Sequence, residues 1–373
     1  MSTTASRIPF FIKVAITIIT GYVVILMLVA SRNVLLPILF AMITAIAISP
    51  AVNYFIRKNF SRALAILIVM MSLLMVTLSF FALLISQASL LTDAMPILTL
   101  KLDILLTQSI DWASDCFSIS TEKINTWLTH SKTEIIAKSG TAVGDSLTAV
   151  GEIITATLLT LVYIFMLLFY QSHLVKFLHK IFGATHNVHL SEVLTETKSI
   201  IQRYLAGMFI EFTIVAALNI IGLTILGIDY AIILGLLATL VNVIPYIGGI
   251  IGVLLFMIIA LITKSPVYVI YVAGLYTIIQ FIDNHFIIPK VIGAKVKLNA
   301  LISLLAVISG AALWGIPGMF LSIPMMAIIK LICDRIDALK PIGFLLGVTL
   351  SAGDHVKFGD KFKLLILRIK SKK

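Results

Sequence analysis

Apolar residues occur along this chain in long unalternating blocks separated by short polar links. The blocks predict helical spans at about 9–30, 34–56, 63–91, 146–171, 205–226 and 266–285. Each is about 20 residues or longer, and a helix rising about 1.5 Å per residue needs roughly 20 to cross a hydrocarbon core of about 30 Å. Two further blocks exceed that need and are broken near their middles. Tyr230–Ile262 is interrupted at Asn242-Val243-Ile244-Pro245-Tyr246-Ile247-Gly248-Gly249-Ile250-Ile251-Gly252, and Ala300–Ile332 at Trp314-Gly315-Ile316-Pro317-Gly318. An unbroken helix of either length would reach about 50 Å, whereas each half reaches about 22–25 Å. Proline removes a backbone donor and glycine releases the backbone from helical geometry. Irregular backbone at membrane depth survives only where protein buries it or where it lines a wet cavity. Paired interrupted segments are therefore the strongest sequence pointer to a transport site.

Composition agrees with the pattern. Mean hydropathy is +1.12, 60% of the residues are hydrophobic and 12% are charged. The expected fold is all-α: a polytopic helical membrane protein of about eight hydrophobic segments. No run shows the roughly 10-residue alternation of a membrane barrel. The chain divides into N-terminal transmembrane helices 1–3 over residues 1–91, an extramembrane amphipathic insert over 92–145, a transport core over 146–335 with broken segments 230–262 and 300–332, and a basic cytoplasmic tail over 336–373. The first block follows Arg7 and runs into another span, so it reads as a retained helix and not as a signal peptide. The insert carries seven acidic residues against four lysines, with Leu98, Leu102, Leu105 and Leu106 at helical spacing. It reads as an interfacial connector or as a cap over the path.

The net charge of +11 does not indicate nucleic acid. The basic excess sits in short loops (Arg57, Lys58, Arg62; Lys176, Lys180, Lys198, Arg203) and in the tail, as the positive-inside rule requires of cytoplasmic segments. In the tail, residues 356–373 interleave lysines with Phe358, Phe362, Leu364 and Leu367, the pattern of a surface helix on anionic lipid or of a basic topology signal. Charge also separates two topologies. If each broken block crosses fully, Lys290, Lys295 and Lys297 lie outside. If each is a re-entrant hairpin, only Lys264 lies outside, the three lysines lie inside, and both termini are cytoplasmic. The second arrangement obeys the charge bias and explains the lengths. Its two tips enter the membrane from opposite faces.

Candidate chemistry is sparse. Between Ala206 and Ile282 the only charged residues are Glu211, Asp229 and Lys264, and the last two belong to loops. Glu211 lies in an apolar helix, where a carboxylate is costly and so pairs or carries a proton. Gln280, Asp283 and Asn284 fall on one helical face, next to His285, and supply oxygens for a cation or for the hydroxyls of a small polyol. Asn219 and Asn242 are the remaining deep polar residues, as ligand contacts or as amides bonded between helices. Gly248, Gly249, Gly252, Gly315 and Gly318, with Pro245, Tyr246 and Pro317, set hairpin-tip backbone whose free groups are candidates to meet solute. Four histidines at 173, 179, 186 and 189 read as solvated loop residues, since no cysteine or carboxylate completes a metal-ligand spacing. Cys116 and Cys333 lie in different zones and indicate no disulfide framework. No cofactor is implied. The phosphate loop of ATP-driven pumps is missing, and the paired groups of an intramembrane hydrolase are not supplied. Two classes stay open: a secondary transporter and a membrane-organising partner protein.

Several motifs resemble the autoinducer-2 exporter family of bacterial transporters. They are Arg203-Tyr204, Leu226-Gly227-Ile228 with Gly235, Ile244-Pro245-Tyr246-Ile247-Gly248, Gln280 with Asp283-Asn284, Pro289 and Gly293, and Gly315-Ile316-Pro317-Gly318-Met319. Together they cover roughly residues 200–345. Two positions depart: Ala300 replaces the proline usual after the leucine matching Leu298, and Asp283 stands where glutamate is frequent. The resemblance implies a homo-oligomeric inner-membrane permease. Members are described as exporters of the signalling molecule autoinducer-2, others as Na⁺(Li⁺)/H⁺ antiporters. It implies a small-molecule or ion substrate, with the lipid bilayer as surroundings.

Overall fold

The computed structural model describes residues 9–117, 151–244, 247–291 and 298–347. All their named elements are helical. Among the described residues seven helices are long and apolar enough to cross a membrane, and this is a multi-pass membrane protein. Helix α1 (Phe10–Ala30) turns at Ser31 into α2 (Arg32–Arg57). Asn59, in the left-handed region that asparagine tolerates, carries the turn into α3 (Arg62–Phe117). Helix α4 covers Gly151–Phe169, and α5 covers Gln171–Ile225. Gly227 (φ 66°) and Tyr230 (φ 61°) reverse the chain into α6 (Ala231–Asn242). Then follow α7 (Ile247–Thr263) and α8 (Pro266–Ile282), the latter opened by proline in its first turn, where no N–H is needed. A π-helical turn at Asp283–Ile287 leads into the short α9 (Ile288–Val291). Helix α10 (Ala300–Arg335) and α11 (Lys340–Leu346) complete the described chain.

Both broken blocks fold back. Helices α6 and α7 have 12 and 17 residues, about 18 and 25 Å, and neither reaches across a core of about 30 Å. They lie antiparallel. A Cβ at Gly248 would come within 2.1 Å of the Val241 carbonyl oxygen, and one at Gly252 within 3.3 Å of the Ala238 Cβ. In the second block the helix is interrupted at Gly315 (φ 65°, ψ −143°). In a straight helix residues 310 and 318 would stand about 12 Å apart along the axis. Here a Cβ at Gly318 would come within 2.0 Å of the Gly310 oxygen, so the two arms run antiparallel with their reversal at Gly315. Asn299 holds the foot of this hairpin. Its side chain accepts from Ile302 N (2.8 Å), capping the first arm, and donates to Leu345 O (2.8 Å) and Gly347 O (3.2 Å) beyond the second. Ala300 thus follows a capped helix start.

Some expected boundaries move. Span 3 does not stop near residue 91. Helix α3 runs on through Pro96 to Phe117, with Leu98 buried, and the remainder of the predicted insert and the tail beyond residue 347 lie outside the described residues. The polar stretch after residue 171 is helical from Gln171 on, and the helix that Ser191, Glu192 and Glu196 signal as running into span 5 is present as Leu190–Ile225. Gln171, Leu174 and Leu178 line one cavity with Thr195, Lys198 and Ser49. A straight helix would set 171 and 198 about 40 Å apart, so α5 turns back between Gln171 and its long arm, Leu190–Ile225. This end of the molecule also holds Arg57, Arg62 and the ion pairs of Arg335 with Glu192 and Glu196, and is termed the basic end below.

The interior is divided. Leu223, Leu234, Phe256 and Tyr276 pack α5, the first hairpin and α8 together. Ala41, Val52, Ile66 and Leu168 join α2, α3 and α4. Ile43, Ile201 and Leu321 seat the second hairpin against α2 and α5, with Phe40 stacked on Phe320 at 5.7 Å. Helix α1 stands apart, with none of its apolar window buried. Its polar tie is Leu28 O, which accepts the Trp314 indole N–H from the second hairpin's tip (3.0 Å).

Candidate functional site

A cavity of about 600 Å³ lies among α5, both arms of the first hairpin, α8 and the second hairpin. Helix α5 contributes Tyr204, Met208, Glu211 and Val215, spaced three to four residues apart and so aligned in one stripe. The first hairpin contributes Thr239, Asn242 and Val243 from one arm and Gly249, Ile250 and Val253 from the other. Tyr276, Gln280, Asp283, Asn284 and Ile288 come from α8 and its continuation, and Ile323 from the second hairpin.

Glycines admit this arrangement. Gly248 lets the hairpin arms close on Val241. Gly252 makes room for a phenol, since a Cβ there would meet the Tyr276 hydroxyl at 2.7 Å. That hydroxyl accepts from Gln280 Nε2 (2.8 Å), and the same amide donates to Asn242 Oδ1 (3.0 Å). Asn242 Nδ2 in turn donates to Asp283 Oδ2 (3.3 Å). Asn284 Nδ2 reaches Gln280 Oε1 at 3.5 Å. The network bridges the tip of the first hairpin to α8, and it fixes which amide atoms point inward.

Asp283 is 1% exposed, and its Oδ1 is buried with no hydrogen-bond partner among the described residues. It opens the π-helical turn, a register shift that re-aims side chains and recurs at functional sites. Glu211 is half-buried and lines the same cavity. Two like charges facing one poorly hydrated space are relieved by a proton or by a cation. Such a cavity also suits a small polar solute, since amide and hydroxyl groups line one side and apolar groups the other.

The structure thus brings Glu211, Asn242, Gln280, Asp283 and Asn284 to one cavity, with Gly249 against it. Asn219 stays apart. It is buried one helical layer away and donates to Thr239 Oγ1 (3.2 Å), which itself donates to Gly235 O (2.7 Å). His285 turns outward, stacked on Phe281 with centroids 4.3 Å apart. Arg203 and Pro289 are exposed. Gly315, Pro317 and Gly318 shape the second hairpin and are not among the residues lining the cavity. Pro245, Tyr246 and Gly293 lie outside the described residues. Among the described residues no group of three or more His, Cys, Asp or Glu is placed to hold a metal ion. Sequence reasoning passed over Tyr276 and Thr239. Both were within reach, one helical turn before Gln280 and Asn242 on the same faces.

The profile described as AI-2E family transporter matches residues 14–338. The chain belongs to the AI-2E transporter family. It is 24% identical over 325 residues to the Escherichia coli K12 protein named "Putative transport protein YhhT", covering 85% of this chain and 89% of that one. A similarly named protein of Borreliella burgdorferi is 30% identical over 210 residues, 54% of this chain and 58% of that one. YrrI of Bacillus subtilis, also so named, is 33% identical over 127 residues, 34% of this chain and 36% of that one. Against these last two the chain spans about a third to three-fifths of the relatives' length. The AI-2E match covers the cavity and both hairpins, since all their described residues fall within 14–338.

Proposed function

We propose that this AI-2E family member is a secondary transporter of a small polar solute, of the hydroxyl-bearing kind for which the family is known, coupled to a proton or cation gradient. One observation carries the reading. Two carboxylates and three side-chain amides converge on a single cavity walled by an interrupted hairpin, a π-turn and the second hairpin. The first hairpin is held to α8 through the Asn242 side chain, so a solute that replaces the Asn242–Asp283 hydrogen bond frees the hairpin to move. Motion of one hairpin against α5 and α8 then exposes the cavity to alternate faces.

The second reading is a Na⁺(Li⁺)/H⁺ antiporter. It is favoured by the unpartnered Asp283 Oδ1 facing the same space as Glu211. In either case the chain sits in the bacterial inner membrane as a homo-oligomer with its basic end and both termini in the cytoplasm, as the lysine distribution directs. The test is flux in proteoliposomes of the full chain. Proton efflux driven by Na⁺ that disappears in Glu211→Gln supports the antiporter. Solute counterflow without cation dependence supports the carrier. Binding of partner proteins with no flux of either kind overturns both and leaves a membrane-organising role.

A further inference from the structure

A second cavity, of about 570 Å³, lies at the basic end, away from the site above. Its walls are apolar: Met42, Ala45 and Ile46 of α2, Leu167 and Leu168 of α4, and Leu174 and Leu178 from the first arm of α5. Most of its polar groups lie on the second arm, at Ser191, Thr195, Thr197 and Lys198, with Gln171 and His179 on the first arm and Ser49 on α2. Lys198 is half-buried and makes no ion pair or hydrogen bond among the described residues. The carboxylates nearest in sequence, Glu192 and Glu196, are both engaged by Arg335. A second cation borders the rim: Arg62 donates to Leu168 O (2.7 and 3.1 Å) and to Ser172 Oγ (3.1 Å). No carboxylate lines the cavity. Leu174 is 42% exposed, so the space opens to the outside of the bundle.

An apolar chamber with an unneutralised lysine at its polar edge, at the basic end of a membrane bundle, has the complementarity of an amphiphile. We propose that it takes up an acyl chain of an anionic membrane phospholipid, with the headgroup phosphate at Lys198. The chain replaces water against Leu168, Leu174 and Leu178, and the phosphate supplies the partner that Lys198 lacks among the described residues. A zwitterionic lipid offers the same chain with a neutral head, and a free fatty acid offers a carboxylate without the glycerol phosphate that bridges toward Ser191 and Thr195. The bound lipid clamps the two arms of α5 against α2 and α4. Through the Arg335 pairs it also steadies the foot of the second hairpin. The assignment is independent of the transport reading and rests only on the membrane-spanning fold.

The experiment is native mass spectrometry of the purified full-length protein in detergent, titrated with phosphatidylglycerol, phosphatidylcholine or palmitate. Phosphatidylglycerol should bind about fivefold tighter than phosphatidylcholine, the effect of one basic side chain at an anionic head. Lys198→Gln should abolish that preference, Lys198→Arg should keep it, and Leu178→Trp, which fills the chamber, should weaken both lipids. Each variant is compared only after it elutes from a sizing column as the parent does. Leu178→Trp and Lys198→Arg decide the matter if Lys198→Gln does not fold. Equal affinity for the two phospholipids, a preference that survives Lys198→Gln, full lipid binding by Leu178→Trp, or palmitate binding as tightly as phosphatidylglycerol overturns the proposal.

Discussion

Replacing Gly318 with alanine tests the reversal at Gly315 by the sign of its effect. In an ordinary helix interior the change stabilises by about 0.8–1 kcal/mol, because alanine loses less backbone freedom on folding. If Ala300–Arg335 ran straight, Gly318→Ala would show that gain. In the hairpin the new Cβ would lie 2.0 Å from the Gly310 carbonyl oxygen and 3.1 Å from the Trp314 Cβ. The clashing atom is backbone, so no rotamer relieves it, and the arms must part by roughly an ångström to reach ordinary contact. Overpacking of this kind costs about 3 kcal/mol at the upper end of its range, and the propensity gain offsets about 1 of that. The net loss of about 2 kcal/mol is roughly a thirtyfold fall in the folded-to-unfolded ratio. Two controls bracket it. Gly274→Ala sits in α8 with nothing within 4 Å and should be neutral or stabilising. Gly315→Ala meets open space but must adopt φ 65° with ψ −143°, close to a region essentially confined to glycine, at about 1–3 kcal/mol. The assay is unfolding in mixed micelles with rising dodecyl sulfate, followed by tryptophan fluorescence, with Trp314 reporting from the tip. A midpoint for Gly318→Ala at or above that of Gly274→Ala refutes the hairpin.

Asp283→Asn and Glu211→Gln should each lower coupled flux in proteoliposomes about tenfold or more, since each removes a charge on which a bound proton or cation depends; flux at the parent rate in both would remove the cavity from the mechanism. Asn219→Leu should retain transport and cost only about 0.6 kcal/mol, the mean for an interhelical hydrogen bond in a membrane, because Thr239 still donates to Gly235 O; loss of flux with unchanged stability would instead make Asn219 a ligand. A membrane-impermeant lysine reagent added to intact cells should modify Lys264 and spare Lys290 and Lys295, and labelling of Lys295 from outside would reverse the topology. Arg335→Ala should leave the unfolding midpoint nearly unchanged, as its pairs with Glu192 and Glu196 are solvent-screened.

What was legible in the chain depended on the range of the signal. Spans and hairpins follow from block length and from Gly-Pro interruptions, which are local. Gly315 at φ 65° is the kind of position that only glycine fills comfortably, and the break was readable there for that reason. The face shared by Gln280, Asp283 and Asn284 needs nothing beyond helical periodicity, although the π-turn that begins at Asp283 does not announce itself in sequence. Partnerships across the fold left no local mark. Asn219 and Asn242 look equivalent in the sequence, as lone amides in apolar helices. Yet one bonds to Thr239 beneath the cavity wall while the other ties the first hairpin to Asp283, 41 residues on. The reversal of α5 escaped for a related reason. Its arms carry amphipathic periodicity, but residues 171–198 hold no proline that would flag a turn, and only their joint packing around Ser49 and Ala45 reveals it. The pattern that hid this turn also hid the second cavity. Leu174, Leu178 and Lys198 acquire a common meaning only once the two arms face each other. Sites of that kind, built by reversals that no proline marks, are the ones a hydropathy reading of this family will pass over.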